Sequence, residues 1–486
     1  MLQTSVATPL PLFPDLELYI DGAWCGGSSG QVRNIVNPAT EEEIGQLPLA
    51  ALVDLDRAVT AAAREFPAWR DRAPAERTGI LVRAAGLVRE NRERLAALTT
   101  VEIGMRRADA LILVDRAAEV LDWDANEGRR LYGRILPSPA GMRQAVVREA
   151  IGPVAAISPW NGSVFTPCRK IGSALSAGCT LVLKAPEEAP MSAIALVRLF
   201  EEAGVPPGVL NLVFGDPAEV SRHLTEAPEI RLISFTGSVP VGKHLAQLAG
   251  AHLKQTVMEL GGHAPVIICR DANLEAAANQ LLATKFMNAG QICFSPTRVL
   301  AERPVFDEFL GLVRAKTEKI VVGNGLAADV GMGPLASRRR LDAVAALIDQ
   351  AVSQGAKIEC GGERVGDTGF FFAPTVLSSV PDGAKLLHEE PFGPVMTVNA
   401  FDDLDEALRI ANQVQYGLAG YAFTESARTA DRLFRELQCG MVAINNFGVS
   451  THGMPFGGVK DSGTGREGGI EGILSYTHAK TLTHVY

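Results

Sequence analysis

The chain has 486 residues, 47% of them hydrophobic and 21% charged, which is too much for one ordinary core and implies two or three globular domains. A formal charge of -9 without a long basic run argues against nucleic acid as a partner, and no apolar run is long enough to span a bilayer, so no membrane partner is expected. Seven cysteines, an odd number scattered singly from Cys25 to Cys439, form neither a disulfide framework nor a zinc pattern; no metal is expected, and a reducing cytoplasm fits them.

The first residues, MLQTSVATPLPLFPDLEL, lack a basic start and carry three prolines, so they read as an extended arm rather than a signal peptide. Residues 18–24 alternate into Asp21-Gly22, a short hairpin. Apolar spacing then predicts helices over 52–69, 73–100 and 108–130, with Pro74 just inside the second start. From 131 to 157 short extended runs around Pro137, Pro139 and Gly141 predict a projecting hairpin, and the tail 473–486 has the character of a strand that could pair with it. Strands and helices alternate from 153 to 260, with strands at 154–158, 180–184, 209–214 and 232–236. A second alternating set, with strands at 264–269, 297–301, 372–377 and 395–400, runs to about 441. Such alternation implies parallel sheets covered by helices, with ligands at the carboxyl ends of the strands. The expected fold is therefore α/β.

The stretch Lys285-Phe286-Met287-Asn288-Ala289-Gly290-Gln291-Ile292-Cys293-Phe294 feeds a helical run into small residues and delivers one thiol to a new surface. By spacing alone Cys293 reads first as one of several small core residues, since free cysteine is among the most buried residue types. Around it stand Met258-Glu259-Leu260-Gly261-Gly262, Pro159-Trp160-Asn161, Phe235-Thr236-Gly237-Ser238, Glu389-Glu390-Pro391-Phe392-Gly393-Pro394 and the run Pro455 to Gly463. In order and spacing these motifs resemble the NAD(P)-dependent aldehyde dehydrogenase superfamily over nearly the whole chain, and several positions resemble its succinate-semialdehyde branch.

The resemblance implies a Rossmann-like NAD-binding domain over 1–130 and 150–260, a catalytic domain over 261–472, and a small β oligomerisation element from 131–149 and 473–486. It implies a homodimer or homotetramer. Its chemistry would be oxidation of an aldehyde to the acid: Cys293 forms a thiohemiacetal, loses hydride to the nicotinamide and is left as a thioester. Asn161 matches the oxyanion asparagine, with the Cys293 backbone N–H as second donor. Glu259 matches the base that activates water for thioester hydrolysis; relatives that pass the acyl group to coenzyme A generally lack it. Lys170 and Glu467 match a proton relay around that base.

For the cofactor, Gly237 and Ser238 resemble the family's phosphate turn, and Lys184 with Glu187 the pair that holds the adenosine ribose. A carboxylate at Glu187 would repel a 2′-phosphate, so NAD is expected over NADP. Ser158, Trp160 and Gly215 fall with the cofactor residues, and Glu390 and Phe392 match those holding the nicotinamide ribose and ring.

For the substrate, Arg169 and the run Ser295 to Arg298 carry the semialdehyde resemblance. That branch commonly has a second arginine six residues before the cysteine, where this chain has Met287. Arg169 alone could still hold a carboxylate. Gly162, where many relatives carry an aromatic, widens the tunnel, and with Met287, Phe294 and Phe456 it suggests a bulkier or more apolar aldehyde; Phe447 reads equally as core. A cysteine hydrolase or acyltransferase without redox chemistry would need a histidine base, and none of the eight histidines sits in a matching motif. A non-catalytic protein on this fold is expected to lack Cys293, Glu259 or Asn161, and all three are present.

Overall fold

Runs such as Val154–Ile157, Leu181–Lys184 and Leu210–Val213 are buried at every position, as strands of a parallel sheet covered on both faces must be. In the computed structural model, which describes residues 13–486, they form the middle of an eight-stranded sheet. Its five parallel strands are Gln255–Glu259, Leu232–Thr236, Val154–Ile157, Leu181–Lys184 and Leu210–Val213, in that spatial order. All five end at the same edge. From that edge leave Glu259, Gly237-Ser238, Ser158 to Asn161, Lys184 and Gly215, so the sheet gathers the polar motifs at its carboxyl end.

The hairpin expected at 18–24 is present as Leu18–Ile20 and Ala23–Cys25, turned by Asp21 and Gly22 at φ 55° and 80°, and it extends this sheet antiparallel to Leu210–Val213. The part of the proline-rich arm at residues 1–12 lies outside the described residues.

A second, seven-stranded sheet runs in the order Lys357–Cys360, Thr375–Ser378, Val395–Phe401, Pro296–Glu302, Ala264–Ile268, Ala419–Phe423, Met441–Ile444. A third pairs the tail strand Thr477–Val485 with Met142–Ala150 along nine residues, and Met142–Ala150 with Arg134–Leu136. The tail therefore meets the hairpin as anticipated.

Two expectations change. The helix expected over 73–100 is two, Pro74–Glu90 and Arg92–Ile103, because the Asn91 side-chain amide and backbone N–H both donate to the Leu87 carbonyl and end the first. Residues 463–472 were grouped with the second unit, but Gly463–Thr464 joins the first sheet, antiparallel to Gln255–Glu259. Only glycine permits that return: a Cβ on Gly463 would lie 1.9 Å from the Met258 carbonyl oxygen. Among the described residues no helix is long and apolar enough to cross a membrane.

Candidate active site

The helix Leu274–Lys285, capped by the Asn273 side chain accepting from the Ala276 N–H, ends at Phe286. The chain then takes Asn288, Ala289 and Gly290 through the left-handed region in succession, at φ 49°, 51° and 72°. For Asn and Ala this conformation costs energy, so the surroundings must hold it. Gln291 does so: its amide donates to the Asn288 carbonyl (3.0 Å) and its Oε1 accepts from the Ala336 N–H (3.0 Å). The Gln291 carbonyl in turn accepts from Asn288 Nδ2 (3.3 Å) and Asn161 Nδ2 (3.0 Å). Two glycines let other backbone close on this loop. A Cβ on Gly290 would stand 2.2 Å from the Gly393 oxygen, and one on Gly262 would stand 2.3 Å from the Cys293 oxygen.

Cys293 emerges half-buried into a cavity of about 720 Å³ whose wall also includes Glu259, Asn161 and Glu467. Asn161 spends one amide N–H on the Gln291 carbonyl rather than aiming wholly at a future oxyanion, which leaves its second N–H for that task. Burial raises the Glu259 carboxyl to a pKa of about 8; the nearby Glu467 adds to this, and Cys293, Lys170 and Arg169 oppose it. The Cys293 thiol is pushed well above its usual range, first by burial and then by the facing Glu259. The resting thiol is therefore protonated, and no helix end overrides this. A thiolate here requires a base, and the group it faces is Glu259.

Behind Glu259 lies a buried network. Lys170 Nζ donates to Glu467 Oε1 (2.7 Å) and to Ser234 Oγ (3.0 Å), and the Tyr476 hydroxyl donates to Ser234 Oγ (3.1 Å). Lys170 is not part of the cavity wall; it holds Glu467 and its charge reaches Glu259 from behind the wall.

Of the other residues singled out in the sequence, Trp160, Gly162, Arg169, Gly237, Ser238, Met287, Phe294, Glu390, Phe392 and Phe456 line the same cavity. Ser158, Lys184, Glu187 and Gly215 do not; they sit along the sheet edge beside it. Lys184 Nζ is 2.6 Å from Glu187 Oε2, and the Gly215 N–H donates to Glu187 Oε1 (3.0 Å). Asp216, in the turn that lacks a second glycine, caps the helix Pro217–Glu226.

These residues fit a dinucleotide. Ser158 Oγ is buried with no hydrogen-bond partner among the described residues. The helix Val239–Ala251 opens without a side-chain cap at Ser238, so its first N–H groups are free for an anion where Gly237, Ser238 and Val239 meet the cavity. Glu390 accepts from the Gly262 N–H (3.0 Å), and Phe392 stands edge-on to Trp160 with ring centres 5.7 Å apart.

Arg169 differs from the open carboxylate grip expected of it. It is 4% exposed, its guanidinium lies between the Phe165 and Phe456 rings at 4.6 and 4.5 Å, and Nη2 donates to Ser450 Oγ (3.2 Å). Arg298 is a strut: it donates to the carbonyls of His263, Ile410 and Ala411. His263 is buried between Thr297 and Leu386 and pushed well below its usual pKa by burial, then by Arg298, so it is no cavity base. A Cβ on Gly162 would crowd Thr166 Oγ1 at 2.7 Å, so that glycine serves a close approach besides leaving room. Phe447 packs on Tyr421 and Phe423 in the core. Sequence reasoning missed Phe165, one helical turn before Arg169 and legible from that spacing, and Arg116 and Ser450, for which no local signal exists.

The chain belongs to the aldehyde dehydrogenase family, whose model matches residues 24–482. It is 44% identical over 470 residues to a 4-(hydroxymethyl)benzenesulfonate dehydrogenase of Comamonas testosteroni, covering 96% of this chain and 98% of that one. Among solved structures it resembles a succinate-semialdehyde dehydrogenase from Burkholderia pseudomallei (TM-score 0.95, 38% identity, 97% and 98% of the chains). It also resembles a betaine aldehyde dehydrogenase from Staphylococcus aureus in complex with NAD+ (TM-score 0.95, 34% identity, 97% and 95% of the chains). The protein is an enzyme of the aldehyde-oxidising class with the fold expected from its sequence.

Proposed function

We propose that the chain oxidises an aromatic aldehyde or a semialdehyde to its carboxylic acid with NAD, through a thioester on Cys293 that Glu259 helps to hydrolyse. The observation that carries this is the Cys293 thiol facing a Glu259 carboxyl whose pKa is raised to about 8. Glu259 takes the thiol proton as sulfur bonds to the aldehyde carbon, and the carbonyl oxygen becomes an oxyanion held by the free Asn161 N–H and the Cys293 backbone N–H. NAD, when bound, accepts the two electrons and the hydrogen that leave that carbon. Glu259 releases the thiol proton to water, then takes a proton from a second water as that water's oxygen attacks the thioester; the C–S bond breaks, Cys293 leaves as the thiolate, and the acid departs. Glu467, held by Lys170, keeps Glu259 basic enough for both transfers.

Ser158, Gly237, Ser238, Glu390 and Phe392 would hold NAD, with the Lys184–Glu187 pair at the ribose; the Glu187 carboxylate disfavours a 2′-phosphate. An NAD+-bound structural neighbour supports the same choice. The eight-stranded sheet serves as the NAD-binding unit and the seven-stranded one as the catalytic unit. The sheet of the hairpin and tail, with Ile135, Val147, Leu482 and Val485 exposed, suits a homodimer or homotetramer contact. A reducing cytoplasm suits a free nucleophilic thiol. Phe165, Phe294, Phe456 and Met287 in the cavity wall, and the benzenesulfonate relative, favour an aromatic substrate.

The test is NADH appearance in the near ultraviolet with NAD or NADP against succinic semialdehyde, a medium-chain aldehyde and an aromatic aldehyde. Cys293→Ala should abolish turnover while NAD still binds. Glu259→Gln should give at most one slow equivalent of NADH and then stall. Retained turnover in Cys293→Ala would refute the mechanism.

A further inference from the structure

The cavity wall contains four cations, Arg116, Arg169, Lys243 and Arg340. Three are engaged. Arg169 is stacked between two rings and bonded to Ser450, Lys243 pairs with Asp461, and Arg340 donates to the carbonyls of Pro391 and Phe392. Arg116 alone, half-buried, has no ion pair or hydrogen bond among the described residues.

Its place in the fold follows from how two helices lie together. Arg107–Gly128 runs in the same direction as Phe165–Ala177: Gly128 abuts Ser176, and Asp124 accepts from Ser173 Oγ (3.0 Å) and abuts Gly172. Two turns earlier on each helix come Arg116 and Phe165, at the end that opens into the cavity. The same helix borders the 450–453 loop, since Trp123 lies against the His452 ring with centres 5.6 Å apart and Glu119 is 3.8 Å from His452 Nδ1. Arg116 therefore belongs to the wall that carries Phe165 and Ser450, and Cys293 lines the same cavity from the loop between Leu274–Lys285 and Pro296–Glu302. Phe165, Phe294, Phe456 and Met287 line the same cavity and offer an aromatic ring apolar faces.

We infer that Arg116 holds an anionic group, a carboxylate or a sulfonate, at the end of the substrate opposite the aldehyde, so that the preferred substrate is an aryl aldehyde with a distal negative charge. This rests on the aldehyde-oxidising reading of Cys293. An unpaired guanidinium offers a planar fork of donors to such a group, and a charge-assisted hydrogen bond there is worth about ten- to a hundred-fold in affinity.

The test compares kcat/KM for benzaldehyde, 4-formylbenzoate, 4-formylbenzenesulfonate and a 4-trimethylammonio benzaldehyde in the wild type, Arg116→Gln and Arg116→Lys. The wild type should favour the anionic aldehydes over benzaldehyde by about ten-fold or more, mostly through KM, and disfavour the cationic one. Arg116→Gln should collapse that ratio and Arg116→Lys restore part of it; the better of the two anions identifies the head group. Calorimetric binding of 4-methylbenzenesulfonate, which has no aldehyde to oxidise, should weaken by a similar factor in Arg116→Gln. An anion-to-neutral ratio equal in wild type and Arg116→Gln, or undiminished sulfonate binding to the variant, would overturn the inference. Silence toward every aldehyde with Arg116-dependent sulfonate binding would instead sustain the anion site and refute the aldehyde reading.

Discussion

Lys170 Nζ stands 2.7 Å from Glu467 Oε1 with both side chains withdrawn from water, and the two charges act with opposite sign on the buried Glu259 carboxyl. Ser234 accepts a second Lys170 N–H and is itself fixed by the Tyr476 hydroxyl, while Thr236 Oγ1 donates to Glu467 at 3.3 Å. After burial, the negative charge of Glu467 is what raises Glu259, and the positive charge of Lys170 works against it. Burial does most to raise this carboxyl, and the paired Glu467 and Lys170 then act on it in opposite directions.

Glu467→Gln removes one of the two. Lys170 is left as a buried cation without a counter-charge, which costs about 3–5 kcal/mol of stability. Lys170 then pulls the Glu259 carboxyl downward unopposed, so the acidic limb of the turnover profile shifts to lower pH. Chemical denaturation reads the first effect and a pH–rate profile the second. A variant as stable as the wild type with an unmoved limb would show that the pair does not act on Glu259.

In the proposed mechanism thioester release needs Glu259 as the carboxylate, so the single-turnover hydrolysis rate should climb through about pH 8 and level off above it. The stability consequence has the opposite sense. The folded pKa of about 8 lies above the ordinary value of 4.5, so between these pH values the native state keeps a proton that the unfolded state has lost. Stability due to this group falls as pH rises through that window and is level beyond it. Glu259→Gln lacks the penalty: its Tm should match the wild type near pH 4.5 and exceed it near pH 9, by on the order of a few kcal/mol of stability. A difference independent of pH would show that Glu259 is not held protonated.

The proposed nucleophile, base and phosphate turn were legible because each stands in a contiguous motif: Cys293 after a helix and a tight turn, Glu259 at a strand end before two glycines, and Gly237-Ser238 between a strand and a helix. What escaped was set by contacts distant in sequence. Arg298 stands in a motif-like run yet serves three carbonyls, two of them more than 100 residues away. Small residues around Gly290 announced a tight loop, but nothing local indicated that Asn288 and Ala289 carry the left-handed turn. Gln291 and Asn161, on a separate strand end, stabilise it. Gly463 gave no sign of crossing back to the first sheet, because the reason is room beside the Met258 carbonyl. Arg116 needed the packing of two helices to bring it to the cavity.

Met287 lines the cavity six residues before Cys293, where a cation would serve a short anionic substrate. Met287→Arg adds a guanidinium within the wall that already holds Arg169. It should raise kcat/KM for succinic semialdehyde by about ten-fold or more and lower it for benzaldehyde, whose ring loses an apolar neighbour. Steady-state kinetics with both aldehydes decide it; a loss for both would mean that the new side chain simply blocks the slot.

The closest approach at the nucleophile is between Gly262 and Cys293, and it can be tested without touching a reactive group. Gly262→Ala would set a Cβ 2.3 Å from the Cys293 carbonyl oxygen and 3.1 Å from Leu418 Cβ, so neither side has slack and the Cys293 loop must move. Displacements of about 1 Å at a reacting centre cost about 10²-fold in rate. The Gly262 N–H also donates to Glu390, so the variant should lose kcat and weaken NAD binding together. Gly250→Ala is the matched control: it lies in the helix Val239–Ala251 with nothing within 4 Å of a new Cβ, and it should gain about 0.5–1 kcal/mol of stability. Equal activity in the two variants would mean that the Cys293 loop yields freely, and the left-handed turn at Asn288 and Ala289 would then not fix the thiol against Glu259.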